Sequence, residues 1–289
     1  MARPPERRRR TRRPAPRPVS DRRRQEDRRA FVILGLALAA VGAVGALLWV
    51  SRSPALDEQT GCGRGTITPP AHTVVLIDQT DRLSRTQINY VKVLIQSEYQ
   101  RLSPQAKLTV RSISSDPDRD VREFARCRVR RGTEVSGVTN NPDMIEDAFK
   151  RIVGNALNEY LNDLEDAGTA EASPIVETVA AVADAADFGR NVGERRLVIV
   201  SDMAQHSAAL NQYAEPGVYR VTPEVQQVFG RELEGVDVRV HYVIRPELAR
   251  LQTRSHREFW TGWFRSEGAD VRLGWGLDMV DPREGAAAG

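Results

Sequence analysis

The sequence contains few of the residues that metal sites and covalent enzyme chemistry most often use, with two cysteines and four histidines among 289 residues. Neither a CxxC pair nor an HExxH motif occurs, which argues against a zinc site. The chain also lacks a GxSxG nucleophile elbow and a GxxxxGK[ST] phosphate loop. These absences favour a protein that is not an enzyme.

Long apolar runs are also scarce, and the one at residues 30–50 carries no charge over its 21 positions. At about 1.5 Å per residue, a helix of this length crosses a hydrocarbon core of about 30 Å. A cleaved signal peptide is the alternative, but its apolar region is usually about 7 to 15 residues long. We therefore predict an uncleaved transmembrane helix, with Trp49 at the far membrane interface.

Apolar side chains are nearly absent from residues 1–29, which hold thirteen arginines against four acidic residues. Their local charge is +9. Because the whole chain has a net charge of +3, the residues after 29 sum to −6. Such a segment cannot bury enough surface to offset its ordering entropy, so we predict a disordered tail. Its charge can bind anionic lipid headgroups or nucleic acid. The positive-inside bias places it in the cytoplasm, with the C-terminal domain periplasmic or extracellular and the helix in the cell inner membrane.

The chain after the apolar run divides into a tether and one domain. Residues 51–70 are polar with Gly and Pro and predict a linker, and residues 71–285 are long enough for a single domain with its own core. Cys62 and Cys127 both lie on the exported side under this topology. An even pair in an oxidising compartment more often forms a disulfide than two free thiols, so we predict this bond.

Short apolar runs rich in β-branched residues alternate with amphipathic segments in the domain. The first run, residues 73–77, ends at Asp78, and Ser84 with Gln87 predicts a capping box that begins a helix. Further strands are predicted at 107–113, 121–129, 197–200, 236–244 and 271–273, and further helices at 141–164, 173–188, from 222 and at 255–266. This alternation predicts an α/β fold with a doubly wound, mostly parallel sheet that helices cover on both faces.

Two acidic residues, Asp78 and Asp202, directly follow predicted buried strands. If those strands are neighbours where the strand order reverses, Asp78, Thr80 and Asp202 meet in one crevice, and Ser173 at a helix start can close it. Two carboxylates with two hydroxyls form an oxygen-only environment, which suits Mg²⁺, Ca²⁺ or Mn²⁺. The sequence therefore predicts a divalent-cation site at the carboxyl edge of the sheet.

The order of these motifs resembles the von Willebrand factor type A domain: Asp-x-Thr after the first strand, Ser-Pro-Ile opening a middle helix and Ser-Asp ending a later strand. The resemblance implies a metal-ion-dependent adhesion site built from a DxSxS loop, a Thr and an Asp, whose cation takes an acidic group of a partner as its last ligand. By position, Asp78 and Thr80 match the first two motif residues, Ser173 matches the Thr and Asp202 matches the Asp.

The third position of the DxSxS loop departs from that pattern. It is Arg82, a fixed cation that would oppose a metal ion if it pointed inward. Ser84, two residues later, replaces the missing serine only if the loop is rearranged. Together with His206 on the predicted rim, these two residues are the expected contacts to a protein partner.

The predicted function is a membrane-anchored interaction module that binds another protein through the carboxyl edge of its strands, with a divalent cation as the implied cofactor. One alternative is a metal-independent structural subunit of an envelope complex, which Arg82 favours. The other is a hydrolase of the phosphatase type with Asp78 as the nucleophile. In that role Asp78 would resemble the aspartyl nucleophile of haloacid-dehalogenase-like phosphatases. The resemblance implies an acid/base Asp two residues later, and this chain has Thr80 there.

Overall fold

A computed structural model describes residues 19–50, 56–65, 68–113, 123–137, 140–164, 172–208, 210–214 and 233–274. The chain divides into two compact units, residues 1–54 and residues 55–289. The helix predicted from residue 222 lies outside the described residues.

The first unit contains helix α1, Val19–Val50. Its stretch Arg28–Ala46 is the one helical segment in the described part of the chain that is long and apolar enough to cross a membrane, and this fits a single-pass membrane protein. Helix α1 begins eleven residues before the predicted span, so residues 19–29 are helical where a disordered tail was predicted. Arg, Gln and Glu favour helix, and extending an existing helix avoids the cost of nucleation. Residues 1–18 lie outside the described part.

The second unit is built on a sheet of six described strands. In chain order they are β1 (Ala71–Asp78), β2 (Lys107–Ile113), β3 (Glu123–Cys127), β4 (Glu194–Ser201), β5 (Val236–Tyr242) and β6 (Asp270–Gly274). Their spatial order is β3-β2-β1-β4-β5-β6. All neighbours are parallel except β2 and β3. The predicted fold class, a doubly wound and mostly parallel sheet, is confirmed.

Helices cover both faces of the sheet because side chains alternate along each strand. The described α-helices of this unit are α2 (Arg85–Arg101), α3 (Pro142–Phe149), α4 (Asn155–Asp163), α5 (Ile175–Ala183) and α6 (Arg254–Ser266). A π-helical turn (Lys150–Gly154) joins α3 to α4. Val74 and Leu76 of β1 belong to the core cluster that contains residues of α5 and α6. Val75 and Ile77 point to the other face, whose cluster contains residues of α2 and α4.

A disulfide joins Cys62 to Cys127, the last residue of β3, as predicted. Around it, part of the segment predicted as a linker is folded. The Cys127 amide donates to the Thr60 carbonyl oxygen at 2.8 Å. Gly61 has φ +70°, and a Cβ there would meet a Val129 methyl at 2.6 Å, so only glycine permits this close approach.

Candidate functional site

Charged and hydroxyl side chains gather where β1, β4 and β5 end. Strands β1 and β4 are parallel neighbours with Ile77 opposite Val200, which places Asp78 beside Ser201. The chain leaves β1 towards β2 on one side and leaves β4 towards β5 on the other. This is the point where the strand order reverses and the loops diverge, which is the usual ligand crevice of an open α/β sheet.

Asp78 accepts four hydrogen bonds although it is only 4 % exposed. Its Oδ1 accepts from the Thr80 amide at 3.1 Å and the Thr80 hydroxyl at 2.6 Å. Its Oδ2 accepts from the Ser173 hydroxyl at 3.3 Å and the Ser201 hydroxyl at 2.6 Å. A carboxylate has about four lone-pair positions, so the acceptor capacity of Asp78 is used by these three neighbours. The sequence analysis predicted Thr80 and Ser173 as residues of this site and did not include Ser201.

Asp202 is equally buried, at 3 % exposure. Its Oδ1 accepts from the Ala204 amide at 2.9 Å, and its Oδ2 accepts from Nε of Arg245 at 2.6 Å. Burial, and after it the negative charge of Asp78, raise the pKa of Asp202 to about 7, although the Ala204 amide and the Arg245 guanidinium oppose the rise. Asp78 ends β1 and Asp202 directly follows β4, so the two residues lie at the same edge of the sheet, at the ends of neighbouring strands.

Arg245 is, after Ser201, the second residue of this site that sequence reasoning overlooked. It lies three residues beyond the end of β5, and its side chain is 12 % exposed. Besides Asp202, its guanidinium lies 3.8 Å from Oδ2 of Asp81, and its Nη1 donates to the Arg82 carbonyl oxygen at 3.4 Å. The signal that could have found it is the one used for Asp78, a charged residue soon after a buried parallel strand.

The first two predicted partner contacts have different surroundings. Arg82 is exposed, and the crevice uses its carbonyl oxygen rather than its guanidinium. Ser84 caps α2: its hydroxyl accepts from the Gln87 amide at 3.2 Å, and Oε1 of Gln87 accepts from the Ser84 amide at 2.8 Å. The capping prediction for Ser84 is confirmed, whereas its contact to a partner stays a prediction.

His206 lies beside the crevice because its backbone pairs with Ser173 through two hydrogen bonds of 2.9 Å. Its ring centroid is 5.6 Å from that of Tyr213, which is 42 % exposed. Partial burial raises the pKa of Tyr213, and the charges of Asp202, Asp81 and Asp78 raise it further. Tyr213 is therefore part of the same electrostatic site, at its solvent side.

A divalent cation does not fit this arrangement of side chains as it stands. Both oxygens of Asp78 already accept hydrogen bonds, and Oδ2 of Asp202 is in contact with a guanidinium that is always charged. Among the described residues there is no group of three or more His, Cys, Asp or Glu that could hold a metal ion. The cation implied by the family resemblance stays a prediction, and the geometry favours a site that works without it.

The Asp-x-Thr, Ser-Pro-Ile and Ser-Asp loops converge, because Ser173 and Ser201 both donate to Asp78. The domain has the doubly wound, mostly parallel sheet expected of a von Willebrand factor type A-like fold. No protein-family model and no curated protein matches the sequence.

Three solved structures are similar to the chain at low identity. An aerotolerance-related membrane protein from Bacteroides fragilis has 10 % identity and a TM-score of 0.35, with 75 % of this chain and 97 % of that one covered. The conserved hypothetical protein BatB from Bacteroides thetaiotaomicron has 16 % identity and a TM-score of 0.31, with 61 % and 68 % covered. A von Willebrand factor type A protein from Catenulispora acidiphila has 12 % identity and a TM-score of 0.36, with 75 % and 40 % covered. Such scores carry no argument about function.

Proposed function

We propose that this protein is a membrane-anchored interaction module that docks another protein on the carboxyl edge of its strands, without requiring a bound metal. The observation that carries the proposal is the buried Asp202–Arg245 pair in the crevice where three strands end. Buried, hydrogen-bonded charges favour a rigid edge, and loops on a rigid scaffold at this edge are where α/β proteins bind ligands.

The rim of the crevice offers exposed side chains of the kind that interfaces use. Arg82 and Tyr213 are exposed, and the side chain of Asp81 is 47 % exposed. Arg and Tyr are enriched in protein interfaces, because each combines a large contact area with hydrogen-bonding groups. These three residues define the proposed docking rim.

A hydrolase using Asp78 as the nucleophile is less well supported by the geometry. The carboxylate is buried, and its oxygens accept bonds from Thr80, Ser173 and Ser201. A nucleophile needs a lone pair that faces substrate and an acid/base group within hydrogen-bonding reach. Thr80 cannot serve as that acid or base at neutral pH.

Metal-dependent docking is the second candidate, and one observation favours it. The carboxylates of Asp78, Asp81 and Asp202 outnumber the single guanidinium of Arg245, and the pKa of Asp202, which burial raises most, is raised in part by the negative charge of Asp78. A divalent cation that displaced Arg245 would compensate more of this negative charge. Docking measured with a chelator and with added Mg²⁺ separates the two candidates.

The proposed experiment is site-specific photo-crosslinking of the full-length protein in its native membranes. A photoreactive residue is placed at Arg82 or Tyr213 on the docking rim, and at Arg101 or Glu194 as exposed controls at the opposite edge of the sheet. We expect a discrete protein adduct from the rim positions only, unchanged by EDTA. Equal adducts from both edges, or none from the rim, would contradict docking here. Adducts that vanish in EDTA and return with Mg²⁺ would replace the metal-free version with the second candidate.

A further inference from the structure

We infer that Arg245 is the resident cation of this site: its guanidinium takes the oxygen of Asp202 that a divalent ion would need, and its removal uncovers a latent divalent-cation site. The inference deepens the proposed function and rests on it only for the relevance of the site to docking. Whether Arg245 excludes a metal can be measured without any partner.

The Arg245 side chain is held at Asp202 by the backbone around it. The Arg245 amide donates to Oε1 of Gln252 at 2.8 Å. Nε2 of the same Gln252 donates to the Asp202 carbonyl oxygen at 3.1 Å and to the Val243 carbonyl oxygen at 2.7 Å. Gln252 is 8 % exposed. The side-chain amide of Gln252 therefore ties the loop after β5 to the loop after β4, and so holds the backbone of Arg245 close to the backbone of Asp202.

The charge environment explains why a guanidinium is stable at this position. Arg245 lies 2.6 Å from Oδ2 of Asp202, 3.8 Å from Oδ2 of Asp81 and 4.0 Å from Oε1 of Glu247. Asp78 adds a further negative charge close enough to raise the pKa of Asp202. Opposite charges at these separations in a poorly solvated crevice attract strongly, and an arginine stays protonated throughout the physiological pH range.

Removal of the Arg245 guanidinium would leave the carboxylates of the crevice without their positive charge. Two buried carboxylates would lie beside the hydroxyls of Thr80 and Ser173 with the positive charge gone. An uncompensated buried carboxylate is costly. A hard divalent ion can take the place of the guanidinium at Oδ2 of Asp202, because the Thr80 and Ser173 hydroxyls keep acceptor lone pairs for it while they donate to Asp78. The wild-type chain satisfies the site with its own side chain and has no need of that ion.

The test is thermal unfolding of the full-length protein in detergent, with EDTA and with millimolar Mg²⁺ or Mn²⁺. The variants are Arg245→Ala, Arg245→Lys, which keeps a positive charge, and Arg272→Ala, which removes an exposed arginine of β6 as a matched control. We expect the wild type, Arg245→Lys and Arg272→Ala to show no metal response. Arg245→Ala is expected to unfold at lower temperature in EDTA and to gain roughly 5 °C or more with metal well above its dissociation constant.

Two results would overturn the inference. One is a metal-induced rise in the unfolding temperature of the wild type, or Mn²⁺ binding to it by isothermal titration calorimetry. The other is a folded Arg245→Ala protein that metal does not stabilise; if that variant does not fold, Arg245→Gln is judged by the same criterion. Loss of the rim crosslinks with these metal responses intact would remove the docking function and leave the role of Arg245 standing.

Discussion

At the scale of single residues, the carboxyl edge of the sheet shows how buried polar groups are compensated. A buried carboxylate is stable only with hydrogen bonds or an opposite charge. Asp78 is compensated by hydrogen bonds alone and Asp202 by a backbone amide and Arg245. Each compensating side chain can be removed by a single substitution, and each substitution is expected to change the stability of the protein in its own way.

Ser201→Ala is predicted to destabilise the protein by roughly 1.5 to 3 kcal/mol, because it removes a hydrogen bond to a buried charge. The Ser201 hydroxyl donates to Asp78 at 2.6 Å and accepts from the Met203 amide at 2.7 Å. Urea unfolding of the full-length protein in detergent measures the change in free energy. Ser97→Ala is the matched control, since the Ser97 hydroxyl donates only to a carbonyl oxygen of its own helix in the described contacts. Equal, small effects of the two substitutions would contradict the role given to Ser201.

The buried ring of His256 is expected to make the folded protein less stable in mild acid. Its ring is fully buried, with Nδ1 2.6 Å from the Tyr242 hydroxyl and Nε2 2.9 Å from Oε1 of Gln212. The Trp260 indole Nε1–H also donates to Nε2 at 3.1 Å. Protonation makes both ring nitrogens donors, so Nε2 can no longer accept from Trp260. Burial lowers the pKa of His256 from 6.5 to about 4. The unfolded state therefore binds more protons over this range, and stability present above pH 6.5 is lost as the pH falls towards 4.

For His256 the expected loss is about 2 kcal/mol between about pH 7.5 and about pH 5. The measurement is urea unfolding at both pH values for the wild type and for His256→Gln, which cannot take up this proton. We expect the pH-dependent loss to be smaller in the variant by that amount. An identical pH dependence of wild type and His256→Gln would refute this assignment.

At the scale of elements, the helix starts follow from local sequence, whereas the sheet edge depends on a distant cross-link. Helix α2 begins at its capping box, and Asn141 caps α3 with Pro142 in the first turn. Strand β3 is a short antiparallel edge strand with five residues. The disulfide attaches it to a segment 65 residues earlier in the chain.

The Cys62–Cys127 disulfide is predicted to stabilise the native state by roughly 4 kcal/mol, because closing a loop of this length removes entropy from the unfolded chain. The measurement is guanidinium unfolding with and without a thiol reductant. The reductant should lower the midpoint for the wild type and leave the Cys62→Ser/Cys127→Ser protein unchanged. A midpoint insensitive to complete reduction, verified by thiol labelling, would show that the bond contributes little.

At the scale of the whole molecule, an apolar helix and an α/β domain form separate compact units. The net charge is also divided, with the excess of arginine before the apolar run and the excess of acid after it. By the positive-inside bias, this division of charge predicts that the arginines stay in the cytoplasm, and a disulfide in the domain is consistent with its export.

This division predicts the membrane topology. Protease added to intact spheroplasts should digest the domain, and the N-terminal residues should be digested only after the membrane is permeabilised. Substituting the thirteen arginines of residues 1–29 by glutamine should weaken or invert this orientation, whereas substituting the arginines of β5 and α6 should not. Protection of the domain in intact spheroplasts would contradict export.

The sequence by itself determined the alternation of strands and helices, the helix caps, the apolar span and the residues that follow each buried strand. These features are local: they depend on periodicity, on capping hydrogen bonds and on an uninterrupted apolar length. Asp78, Thr80, Ser173 and Asp202 were found for that reason. What the tertiary structure decided is which distant groups compensate them. Arg245 reaches Asp202 across 43 positions of sequence because β4 and β5 are neighbours, and no local pattern encodes that adjacency.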